Sequence, residues 1–319
     1  MSPLPEHISR GMQQDPAYGR GGSVILAPGP APVLMVPVGK PEVDKIYSPG
    51  DIDPLGRMEC LIYGPPGGAK TSLAATFPPP FRWIDADFGL KSLRWAFKEG
   101  KTALHCLDRH CMEAYRPAEK ESYPQNPEAF DRMCDMIAHW FSPGEVDKWN
   151  TIVIDSATEV NLWAVYKGLH LNGELPTKKN RLSSSDETNE TAKTLLLTGQ
   201  QDWKSAEGLF LGAMIDLRVD CAKYNKNLVL ICHEWTETDE KGNVLRYLPA
   251  LIGQLRTRIA KEFDDVWYTQ IFNGKEAKVQ MIGSSDKVTK TRWGSIKDIE
   301  KDFDYRKMVE RVREYHGIK

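Results

Sequence analysis

Gly64-Pro65-Pro66-Gly67-Gly68-Ala69-Lys70-Thr71 is the stretch on which the reading of this chain turns. It follows the apolar run Cys60-Leu61-Ile62-Tyr63 and precedes Ser72-Leu73-Ala74-Ala75-Thr76, a segment that suits a helix. A strand, a glycine-rich turn and a helix start, in that order, make a P-loop. Backbone N–H groups of such a turn and the positive end of the helix cradle phosphate oxygens. Lys70 adds a point charge for the outer phosphates, and the Thr71 hydroxyl is placed to ligate Mg²⁺. The nine residues Gly64, Pro65, Pro66, Gly67, Gly68, Ala69, Lys70, Thr71 and Ser72 are therefore the expected phosphate-binding set. Ala69 stands where the pattern expects glycine, and its methyl narrows the approach of backbone to phosphate.

Working outward, 319 residues with 41% hydrophobic content can build one large α/β core. A formal net charge of −2 excludes a global basic field, so any nucleic-acid contact would have to be local. The six cysteines make no CxxC pair. His105-Cys106 and His110-Cys111 repeat at five residues, a spacing that suits neither a zinc ribbon nor a zinc finger. No apolar run reaches the ~20 residues of a membrane span and no signal peptide is visible, so the expected location is cytoplasmic.

Residues 1–54 are rich in proline and glycine and predict a flexible, disordered tail, within which Val33-Leu34-Met35-Val36-Pro37-Val38 is either a sticky linker or a latch. From 55 to 295, apolar runs alternate with helical stretches, which predicts a mostly parallel twisted sheet flanked by helices. Strands are expected at 58–63, 81–85, 151–155, 228–232, 265–271 and 277–282, the last after the Asn273-Gly274 turn signal. Helices are expected at 71–77, 127–141, 157–170 and 201–224, and a closing amphipathic helix over 296–319. Two segments, 172–200 and 236–257, read as long irregular excursions, which in compact domains are functional or disordered.

Thr151-Ile152-Val153-Ile154-Asp155-Ser156 is a buried-type strand ending in a carboxylate, the Walker B arrangement that delivers Asp155 to the Mg²⁺ beside Thr71. Asp155 is followed by serine, so a water-activating base must come from elsewhere. Trp83-Ile84-Asp85-Ala86-Asp87 supplies candidates, because alternation along an extended chain puts Asp85 and Asp87 on one side.

Strand, P-loop and helix, then Ile84-Asp85-Ala86-Asp87-x-x-Leu90, then Ile154-Asp155-Ser156, resembles the RecA-like NTPase core. The resemblance implies ATP and Mg²⁺ as ligands and ATP hydrolysis as the activity. It places the base at Asp87, one methylene shorter than the family's glutamate. It continues at Leu228-Val229-Leu230-Ile231-Cys232-His233, where it implies that His233 senses the γ-phosphate. At Lys290-Thr291-Arg292 it implies a cation pair that reaches a neighbouring subunit's nucleotide in trans, within a homo-oligomeric ring or filament. The whole order, over about 57–295, is similar to phage-encoded ATP-binding proteins that include the Sak-type single-strand-annealing ATPases. That likeness implies host cytoplasm and a role in recombination, annealing or replication, with a single-strand-binding protein as a possible partner.

In RecA-like proteins the loops after the Walker B and sensor strands hold single-stranded DNA. Here those places carry Lys178, Lys179 and Arg181, then Lys241 and Arg246, with Arg256, Arg258 and Lys261 following and Trp203 and Trp235 available for stacking. Interleaved Asp186, Glu187, Glu190, Glu237, Asp239 and Glu240 dilute that positive charge. Two alternatives stand beside this reading: an AAA+ type remodeller or helicase loader, suggested by Gly-Pro-Pro-Gly, and an ATP-binding assembly switch with little hydrolysis.

Overall fold

Glu59–Gly64 form strand β1, and all six residues are buried. A strand covered on both faces sits in the middle of a parallel sheet, and β1 has parallel neighbours on both sides. The structure is a computed structural model and describes residues 56–93, 112–115, 128–171, 200–272, 276–292, 299–301 and 304–316. The expected tail, the two His-Cys pairs, the Asn273-Gly274 turn and the excursion before residue 200 lie outside the described residues.

The other strands are β2 (Phe81–Asp85), β3 (Met112–Tyr115), β4 (Thr151–Asp155), β5 (Asn227–Thr238), β6 (Val244–Pro249), β7 (Asp265–Phe272), β8 (Glu276–Gln280) and β9 (Ile299–Lys301). They form one sheet in the order β3-β2-β4-β5-β1-β7-β8-β9, with β6 paired to the far end of β5. From β3 to β7 all pairings are parallel, and β8 and β9 add antiparallel edge strands. The P-loop strand β1 and the Asp155 strand β4 are separated by β5, so that Leu61 and Ile154 both face Leu230 in register. This is the RecA-like P-loop topology: a mostly parallel α/β sheet with helices on both faces.

The helices are α1 (Lys70–Ala74), α2 (Glu128–Trp140), α3 (Ala157–Leu171), α4 (Gln200–Lys223), α5 (Leu255–Glu262) and α6 (Tyr305–His316). In α2, Phe130, Met133, Ile137 and Trp140 recur at three and four residues and bury one stripe. In α4, Ala206, Phe210, Met214, Leu217 and Cys221 do the same. These stripes join Leu61, Ile152, Ile154 and Leu230 in a core on one sheet face. On the other face Ile62, Trp83, Val153, Ile231 and Trp267 pack with Leu73, Phe77 and Met308. Each large side chain so buried contributes roughly 1.5–3 kcal/mol. No described helix is long and apolar enough to cross a membrane.

Three expectations need correction. First, the excursion at 236–257 is ordered: β5 runs on to Thr238 and returns as β6 in an antiparallel ribbon, and α5 follows. The Asp239 carboxylate accepts from the backbone N–H groups of Lys241 and Asn243, and Gly242 takes φ 82°, which closes the turn. A ribbon wetted on both faces needs little apolar alternation, so its sequence reads as loop. Second, the closing helix begins at Tyr305 rather than 296, because Ile299–Lys301 pair with β8 and Asp304 caps the helix by accepting from Lys307 N–H at 2.8 Å. Third, the helix after the P-loop stops at Ala74, where the Thr76 hydroxyl turns back onto the Leu73 carbonyl ahead of Pro78-Pro79-Pro80.

Candidate functional site

β1 ends at Gly64, and the chain must turn hard against β7. A Cβ at Gly64 would meet the Thr269 carbonyl oxygen at 2.1 Å, so this position requires glycine. The turn closes with Gly68 N–H donating to the Pro65 carbonyl at 3.0 Å. Ala69 then adopts φ 63°, ψ 19°, the left-handed region that costs a side-chain-bearing residue about 1 kcal/mol or more. The departure from glycine in the sequence is therefore a strained position.

Lys70 turns its ammonium back into the loop and donates to the carbonyls of Gly64 (2.9 Å) and Pro65 (2.8 Å). Burial lowers its pKa, and the charges of Asp155 and Asp87 only partly restore it. The Thr71 hydroxyl donates to Asp155 Oδ2 at 2.8 Å, so the P-loop and the end of β4 are joined directly. Asp155 is pushed up to about 7, first by burial and then by the neighbouring charge of Asp87.

Asp87 faces Asp155 across Gly89. A Cβ on Gly89 would come within 2.8 Å of Asp155 Oδ2 and 3.1 Å of Asp87 Oδ1, so only glycine lets the two carboxylates approach there. His233, at the level of Gly64 in the paired strand, donates from Nε2 to Asp87 Oδ2 at 3.0 Å. Burial would raise the Asp87 pKa, but the hydrogen bond and charge of His233, with help from Ser156 and the Gly89 backbone, hold it below its ordinary value. Glu159, in the first turn of α3, is raised by burial and by Asp87.

These groups line a cavity of about 420 Å³, within the range of small-molecule sites. It is bounded by Pro66, Gly67, Gly68, Ala69, Lys70, Thr71 and Ser72, by Asp87, Asp155 and His233, and by Gly89, Ser92 and Ile271. The last three were not singled out in the sequence. Gly89 had a signal, two residues after an acid, whereas Ile271 is indistinguishable from any strand residue.

Asp85 does not share this cavity. It is fully buried, and its Oδ1 accepts from Leu90 N–H at 3.1 Å. The alternation that put it beside Asp87 ends with β2, because the chain turns at Ala86-Asp87 and Phe88 takes φ 62°. Lys290 and Arg292 lie at the other end of the sheet. Lys290 exchanges backbone hydrogen bonds with Val266, which is in register with Leu61, and its Nζ reaches the Lys261 carbonyl at 3.3 Å. Arg292 pairs with Asp264 at 2.8 Å and is 68% exposed. At about 3.3 Å per residue, the level of Asp264 is roughly 17 Å below Gly64.

Thr71 and Asp155 present one hydroxyl and one buried carboxylate whose ionisation is suppressed. That donor set fits Mg²⁺, which takes few protein oxygens and fills its shell with water and phosphate oxygens. A bound Mg²⁺ would supply the charge that neutralises the outer phosphates. Among the described residues, no group of three or more His, Cys, Asp or Glu gathers into a metal cluster.

Along the ribbon, the Trp235 ring is covered on one face by Arg256 at 3.8 Å, and Arg246 pairs with Glu237. Trp203 is 37% exposed at the start of α4.

No family model matches the chain, and no curated protein matches it. Among solved structures it is similar to a KaiC-like protein of the archaeon Pyrococcus horikoshii OT3. The two are 11% identical over 77% of this chain and 84% of that one, with a TM-score of 0.41. The strand order, not this likeness, assigns the fold. The narrower resemblance to phage annealing ATPases finds no support in these comparisons.

Proposed function

We propose that the protein is a Mg²⁺-dependent ATPase. The observation that carries the reading is the junction of Thr71 with Asp155, beside Lys70 and opposite Asp87 and His233, in one cavity. The P-loop amides and Lys70 bind phosphate, and Thr71 with Asp155 hold the metal. Asp87, kept ionised by His233, orients the attacking water by accepting its hydrogen bond. His233 lies within reach of both Asp87 and the cavity, and so couples the terminal phosphate to the base of the β5–β6 ribbon. Lys290 and Arg292 act on the site of a second copy, since within one chain they stand at the far end of the sheet. The substrate of the coupled work is single-stranded DNA, in annealing, recombination or replication. That part of the proposal rests on the resemblance and on the cations after β4 and β5.

The test is steady-state ATP hydrolysis with and without single-stranded DNA, with Lys70→Ala as the blank. Stimulation by DNA supports the full proposal, and hydrolysis indifferent to DNA moves the protein toward the remodeller reading. One observation favours a second reading. An acid that is one methylene shorter than glutamate and tied to His233 is a weak base, which suits an ATP-bound assembly switch. Tight ATP binding with no turnover would select it.

A further inference from the structure

The lining of the cavity is drawn from both sides of β1. Asp155, Asp87 and His233 all belong to the β2-β4-β5 side, while β7 flanks β1 on the other side. The metal pair Thr71–Asp155 fixes the outer phosphates toward the carboxylates. A triphosphate lying on the P-loop therefore leads its sugar and base away from them, toward β7.

At that end stands Ile271. It lines the cavity and is 45% exposed, and among the described lining residues it is the one large aliphatic side chain. Its position relative to the loop is fixed by Thr269. The Thr269 carbonyl lies 2.1 Å from a Cβ built on Gly64 and 3.1 Å from one built on Gly68, so β7 abuts the P-loop at this residue. Two residues on, about 7 Å along the strand and on the same face, Ile271 rises beside the loop. A large aliphatic side chain exposed among glycines, hydroxyls and charged groups is a surface of the right chemistry for the face of an aromatic ring.

We infer that Ile271 is the platform on which the nucleobase of the bound nucleotide rests, an inference that depends on the nucleotide-site reading above. The contact is aliphatic against a ring face. It rewards the presence of a base without reading its hydrogen-bonding edge, and it leaves the phosphates untouched.

The experiment compares binding of ATP and of inorganic tripolyphosphate, each with Mg²⁺, by titration calorimetry on the full chain and on Ile271→Ser and Ile271→Leu. Both substitutions fall on an exposed position, and a thermal melt checks that each variant folds. Ile271→Ser should weaken ATP about five- to tenfold and tripolyphosphate by less than about twofold, whereas Ile271→Leu should restore ATP to within about twofold. Equal weakening of both ligands would overturn the inference, because Ile271 would then shape the loop. Unchanged ATP affinity in Ile271→Ser, or a wild type that binds tripolyphosphate as tightly as ATP, would also overturn it while leaving the phosphate site standing. A wild type that binds neither ligand would bring down the nucleotide-site reading, and this inference with it.

Discussion

The two ends of the central sheet handle charge in opposite ways. At the end where β1 and β4 finish and β5 carries His233, acids and a lysine crowd a cavity, and several are held away from their ordinary ionisation. Asp155 is pushed up to about 7, Glu159 is raised and Lys70 is lowered. At the opposite end most charges are matched in pairs, with Lys290 the exception, since burial and the charge of Arg292 lower its pKa. Buried Glu59 accepts from Arg218 at 2.7 Å and pairs with Arg57, Arg218 also reaches Glu262 at 3.0 Å, and Arg292 pairs with Asp264. Matched pairs hold strands and helices in place. Crowded, partly buried groups cost stability and are kept where a ligand relieves them. The comparison assigns ligand binding to the first end and leaves the second to structure, unless another copy of the chain draws on it.

The largest expected effect breaks the first end outright. Lys70→Ala should reduce ATP turnover by about a thousandfold or more, as loss of a phosphate-contacting cation does in phosphoryl transfer. Because the Lys70 ammonium is held, among the described residues, by hydrogen bonds to two loop carbonyls, Gly64 and Pro65, the melting temperature should shift little. Turnover that survives the change would mean that the cavity is not the reaction site.

The next test asks whether the second end serves a neighbour. If Arg292 acts on a neighbour's site, Arg292→Ala should leave ATP affinity within about twofold but lower turnover by about a hundredfold or more, as for arginines supplied in trans. Its pair with Asp264 is exposed, so the loss of stability should stay below about 1 kcal/mol. Wild-type turnover per subunit should rise with protein concentration. A flat dependence would reject assembly as the source of the cation and return Arg292 to a purely structural role.

How much of this was legible in the sequence differs between the same two ends. The P-loop, the β4 carboxylate and His233 could be read because each ends a run of apolar residues, and a buried parallel strand leaves that mark. Asp85 was misplaced because alternation holds only while the chain stays extended, and the left-handed Phe88 that ends it has no sequence signature. The β5–β6 ribbon was missed because wet strands lack an apolar pattern. Ile271 could not be found at all, since its role depends on β7 lying beside β1, a pairing that joins residues some 200 positions apart.

A smaller effect, in stability rather than rate, sharpens the picture of crowding. Unfolded Asp155 loses its proton near pH 4, and the folded residue does so near 7. Between those values the native state holds more protons, so without metal the stability should fall as pH rises through this window, by on the order of 4 kcal/mol. Asp87 acts oppositely, since its lowered value adds stability that is lost only under more acidic conditions. Thermal melts from pH 5 to 8 in chelator should show the decline. Asp155→Asn should flatten it and Mg²⁺ should suppress it. A stability that rises over this range would mean that Asp155 is already ionised and that the crowding has been overstated.

The smallest effect concerns Ala69, where crowding is steric rather than electrostatic. Glycine at this position would relieve a left-handed backbone at φ 63°, a strain of about 1 kcal/mol or more. It would also loosen the unfolded chain, which takes back roughly 0.4–1 kcal/mol. The net gain expected for Ala69→Gly is therefore below about 1 kcal/mol, a rise of a few degrees at most in melting temperature. If the methyl also narrows the path of phosphate to the loop amides, ATP should bind severalfold tighter in the variant while its turnover per bound nucleotide stays the same. A variant that is less stable and binds no better would show that the Ala69 methyl is packed to advantage, and that the turn is held by its surroundings rather than strained by its sequence.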